Sequence, residues 1–108
     1  MMDKIHAEFW EAFKVLDPSW STNADAQQMP PGNILVTYPL PGGGYARAVS
    51  IHIDREVITE ADAADSQRRA QIIGNATRAL AGRMAFYDPQ EASHTGFVVQ
   101  IGTEALDA

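Results

Sequence analysis

The chain has 108 residues, no cysteine and a formal net charge of −6, with 45% hydrophobic and 20% charged residues. That is enough chain for one domain with its own core, it is too apolar for a disordered polymer, and without Cys it excludes a disulfide scaffold, thiol catalysis and thiolate-held metals. No stretch approaches the ~18 apolar residues of a membrane span, and the opening MMDKIHAEFW interrupts its only apolar stretch with acids, unlike a signal peptide, so the expected location is cytoplasmic.

Residues 3–16 read as an amphipathic helix. Ile5, Phe9, Ala12, Phe13 and Leu16 recur at helical spacing, with Glu8, Glu11 and Lys14 opposite. Asp3 is the expected N-cap, and Asp17-Pro18 stops the helix. Residues 17–33 (DPSWSTNADAQQMPPGN) read as a long polar loop, with Trp20 either sealing the core or meeting a partner. Residues 34–40 read as a strand with Ile34, Val36 and Tyr38 on one face. Pro39 marks an edge or an end. Pro41-Gly42-Gly43-Gly44 is a turn cluster, and residues 45–54 form a second strand whose Val49, Ile51 and Ile53 alternate with polar neighbours. The two strands are expected to pair as an antiparallel hairpin.

Residues 55–64 are either a short helix or the start of a longer one, with Thr59-x-x-Asp62 close to a capping box. The strongest helical pattern covers residues 66–87. Ile73, Ala76, Leu80, Met84 and Tyr87 form one stripe, and Ala70, Gly74, Thr77, Ala81 and Ala85 form a second of small residues. Small side chains admit a second helix at close range, either the first helix with its Phe9, Trp10 and Phe13 or the same helix of a second subunit. Asp88-Pro89 ends the helix, residues 96–101 read as a last strand, and residues 102–108 as a frayed tail. The expected fold is a single α+β domain in the order α-β-β-(α)-α-β, with a three-stranded, at least partly antiparallel sheet packed by two main helices.

Charge is unevenly spread. Residues 54–65 hold five acids and one arginine, whereas residues 66–87 hold four arginines and no acid. Arg68 and Arg69 sit in the first helical turn, where the dipole disfavours positive charge, so nearby Asp62 and Asp65 are the expected compensation. Ser50, His52 and Asp54 are residue types of a hydrolase triad, but neighbours on one strand face stand ~7 Å apart with parallel side chains, which does not give a triad. The three histidines, His6, His52 and His94, show no paired metal-ligand spacing. The glycine cluster runs into a strand and lacks the helix start that a phosphate loop needs. No catalytic, metal or cofactor site is therefore expected.

The element order is similar to that of the KH fold in its bacterial arrangement, a single-stranded RNA module that grips its ligand with a GXXG loop between adjacent helices. The corresponding stretch here, Glu60 to Ser66 (EADAADS), has no glycine and three acids, so the resemblance concerns topology and carries no site residue. From Tyr45 to Ile101 the chain also resembles small Ala-rich proteobacterial proteins grouped as domains of unknown function. That resemblance implies a bacterial cytosolic setting and transfers no activity.

These readings lead to a non-enzymatic protein-interaction module, with a homodimer as its simplest form. The expected interface is Trp20, Tyr38 and Tyr45, with the Ala70/Gly74/Ala81 seam second. Alanine at Trp20 is then expected to weaken association without unfolding the chain. The alternative is a KH-like nucleic-acid module using Arg68, Arg69 and Arg78, which the acidic balance opposes. A third reading is a small ligand-binding protein or enzyme with a pocket under residues 17–33 and His52 and His94 as first suspects. No membrane partner is expected.

Overall fold

The computed structural model describes residues 2–22, 24–29, 33–37, 49–86 and 97–107. Helix α1 (Lys4–Phe13) leads through a 3₁₀ turn (Lys14–Leu16) to a short helix α2 (Pro18–Thr22). Strands β1 (Asp25–Met29), β2 (Asn33–Thr37) and β3 (Val49–Ile53) follow, then helices α3 (Arg55–Ala63) and α4 (Ser66–Met84). Strand β4 (Phe97–Ile101) and a 3₁₀ turn (Thr103–Leu106) complete the described chain.

The class is α+β, but among the described residues the sheet has four strands in the order β1-β2-β3-β4, where three were expected. The added strand is β1, inside the segment read as a loop. Its residues (DAQQM) lack an apolar alternation, so local pattern could not reveal it. Pairing supplies what propensity does not: β1 runs antiparallel to β2 from Asp25↔Thr37 to Met29↔Asn33. The three residues between these strands, Pro30-Pro31-Gly32, lie outside the described residues, as do the 41–44 turn cluster, Tyr87 and the Asp88-Pro89 stop.

β2 and β3 are antiparallel, as the hairpin reading required, while β4 lies parallel to β3. A parallel pair needs a crossover, and α3 with α4 provides it. The register aligns the apolar positions: Ile34 pairs with Ile51, Val36 with Val49, and Val99 with Ile51. All five of these side chains are fully buried. The helices cover this face with Phe9 and Phe13 from α1, Val57 from α3, and Ile72, Ala76 and Leu80 from α4. Roughly 1.5–3 kcal/mol comes from burying each such large aliphatic or aromatic side chain, which makes this layer the main source of stability.

Residues 55–64 resolve into a separate helix. Asp54 caps α3 by accepting from the Glu56 amide at 2.9 Å, and Asp65 caps α4 by accepting from the Arg68 amide at 2.8 Å. The box proposed for Thr59 and Asp62 does not form, because both lie within α3. Asp3 precedes α1 without a side-chain cap; its carboxylate accepts from Gln28 Nε2 instead. Leu16, expected in the core, is exposed, since the tighter 3₁₀ turn after Phe13 shifts it off the buried arc. The C-terminal segment is docked rather than frayed: Ala105 is buried, and Asn75 Nδ2 donates to the Ala105 and Asp107 carbonyls at 3.0 Å each.

Candidate functional site

The arginines of α4 divide into two groups. Arg69 is half-buried and joins three helices. Its Nε donates to the Ala61 carbonyl at 2.9 Å, one terminal nitrogen donates to the Asp62 carbonyl at 3.1 Å, and the other pairs with Glu8 at 3.1 Å. Arg68 donates to Gln71 Oε1 and to the Leu106 carbonyl, and stands 3.9 Å from Glu60. Both guanidinium groups are therefore engaged in internal structure. The compensating carboxylates are Glu8 and Glu60, not the expected Asp62 and Asp65; Asp65 is occupied as a cap, and Asp62 offers its carbonyl. Only Arg78 of the three candidates is exposed, donating to the Asn75 side chain.

Trp20 is 2% exposed and packs against Trp10 with ring centroids 5.7 Å apart. It belongs to the core, which corrects its assignment to an interface. Helix α2 carries it inward, whereas an unstructured loop would have left it free to face solvent. Tyr38, Tyr45 and His94 lie outside the described residues.

The small-residue seam is on the surface. Ala70 and Ala81 are exposed and Gly74 is half-buried. A groove of about 610 Å³ runs between α1 and α4. Its apolar walls are Ala7 and Ala12 on one side and Ala70, Ile73 and Gly74 on the other; Lys4, Glu8, Glu11 and Arg69 supply charges of both signs. Ala81 lies outside it. A Cβ built at Gly74 would meet only the Arg78 guanidinium, at 3.7 Å, so packing within the chain does not require glycine there.

Ser50 and His52 approach more closely than the strand spacing suggested. His52 Nε2 lies 3.0 Å from Ser50 Oγ on the sheet face away from the helices, because both side chains lean along the strand. Asp54 turns away to cap α3, so the third member of a triad is absent from this pair. Among the described residues no group of three His, Asp or Glu side chains could hold a metal ion, and no helix is long and apolar enough to cross a membrane.

One concavity was not apparent in the sequence. It has a volume of about 580 Å³ and lies where the start of α1, the end of β1, the start of β2 and the start of α3 meet. Asp3, His6, Gln28, Asn33, Arg55 and Thr59 provide its polar lining. These residues are far apart in sequence, so their convergence depends on β1, the strand that the local pattern concealed. His6 gave the nearest hint, as a polar residue one position from the apolar arc of α1; it is 4% exposed, with Nδ1 3.8 Å from an Asp3 carboxylate oxygen. No family model matches the chain, and no curated protein or solved structure matches it significantly.

Proposed function

We propose that the protein is a non-enzymatic interaction module that self-associates through the α1–α4 face. The observation that supports this most directly is the groove between those helices, floored by small side chains and open at the surface. Its rim carries both signs of charge, which suits a two-fold partner. Two copies of α1 crossing antiparallel would set Lys4 of one near Glu11 of the other, and a two-fold interface is self-complementary in this way. Gly74 adds to the case. A helix-interior glycine costs about 1 kcal/mol relative to alanine, and here a Cβ has room within the chain. A partner helix at close range gives the missing Cβ a purpose.

The test is solution mass by light scattering over a dilution series. The wild-type chain is expected near twice the monomer mass. Ala70→Glu introduces a carboxylate at an exposed site and is expected to lower the association constant by at least about tenfold, because an unpaired charge buried at an interface is costly, while leaving the thermal midpoint unchanged at dilutions where both chains are monomeric. Gly82→Ala is the control, since nothing lies within 4 Å of a Cβ there and Gly82 does not line the groove. A wild-type monomer at every concentration rejects self-association, and equal loss in the control rejects the groove.

A further inference from the structure

We infer that the cavity at the start of α1 and α3 is a binding site for a small zwitterion, with a free α-amino acid as the ligand class. Two of its walls are charged. Asp3 stands on one wall. One of its carboxylate oxygens accepts from Gln28 Nε2 at 3.0 Å, and its backbone amide donates to Gln28 Oε1 at 2.7 Å. This reciprocal pair fixes the carboxylate against the end of β1. Its second oxygen has no partner among the described residues.

Arg55, the first residue of α3, stands on another wall. Its side chain is exposed and makes no ion pair or hydrogen bond among the described residues. The two charges line one cavity yet do not pair with each other within 4.0 Å. A ligand carrying an ammonium and a carboxylate completes both: the ammonium donates to Asp3 while the Arg55 fork takes the carboxylate. A purely anionic ligand would face the Asp3 charge, and a purely cationic one the Arg55 charge.

The rest of the lining fits the same class. Ile53 and Ile58 offer an apolar surface for a side chain, and Asn33 and Thr59 offer further polar groups. The volume of about 580 Å³ lies in the range typical of small-molecule sites. Asp54 holds the α3 N-terminus with its own carboxylate, so the helix end does not serve as the anion site and Arg55 must do so. This site involves a different face from the α1–α4 groove and does not depend on self-association.

Isothermal titration calorimetry with each standard amino acid at millimolar concentration tests the inference. Two analogues accompany any binder: its amide, which lacks the carboxylate, and its desamino form, which lacks the ammonium. At least one amino acid is expected to bind, with both analogues weaker by about tenfold or more, the size of one lost charged hydrogen bond. Arg55→Gln and Asp3→Asn are each expected to cause a similar loss; the asparagine oxygen can still accept from Gln28, and Arg55 is exposed, so both variants keep the fold. Absence of heat with every amino acid overturns the inference. So does binding that survives both substitutions, or a desamino analogue that binds as well as its parent.

Discussion

Trp20 shows how much a single residue's role depends on the backbone beneath it. Its sequence setting, polar and rich in breakers, allowed either a core or a surface role; helix α2 decides for the core. The indole N–H then finds no acceptor among the described residues, an arrangement that costs about 1–3 kcal/mol. Trp20→Phe removes that group with the least loss of packing and is expected to cost about 1 kcal/mol or less, whereas Trp20→Ala is expected to cost about 3–5 kcal/mol. Urea unfolding of both variants measures the difference. Equal damage from Phe and Ala would mean that the N–H has an acceptor after all. The alanine variant is thus a folding defect, contrary to the association defect expected from the sequence.

Among elements, α4 was the most legible. Its apolar stripe placed a helix over this stretch with core contacts at Ala76 and Leu80, because a 3.6-residue period is local information, whereas its start at Ser66 was not legible, a helix from residue 55 being equally open. β1 was the least legible, since an edge strand with polar side chains has no period to detect. The cavity beside it was hidden for the same reason, while the groove could be anticipated from the small residues of α4. The junction of helices was only half visible: the arginines were identified, but their partners on α1 and α3 were not. Arg69 makes that junction, so Arg69→Ala is expected to lower stability by about 1–3 kcal/mol through the lost bonds to the α3 carbonyls and to Glu8. Arg69→Lys should recover less than half, because an ammonium cannot span three acceptors in a fixed fork. Thermal and urea denaturation check both; full recovery with lysine would show that charge alone matters at this site.

Across the whole molecule, the sheet mixes two kinds of pairing. β1, β2 and β3 join neighbours in sequence, whereas β3 meets β4 only after α3 and α4 have been traversed. That long-range pairing left no trace in any short window, which is why strand order could not be read from the sequence. It also sets an expected gradient of local stability. β3 is paired on both sides and buries Val49 and Ile51 completely; β1 is an edge strand with exposed Asp25, Gln27 and Met29. Native-state hydrogen exchange is expected to show the slowest amides in β3 and early exchange in β1. Equal protection of β1 would indicate a second molecule covering that edge.

The Trp10–Trp20 contact also gives the chain a built-in optical reporter. These are its only two tryptophans, and both lie in the N-terminal fifth of the chain. Emission from them therefore reports the docking of α1 and α2, while far-ultraviolet circular dichroism is weighted toward α4, the longest helix. Superposition of the two melting curves would establish one cooperative transition; separation would show the N-terminal layer detaching before the crossover unit melts.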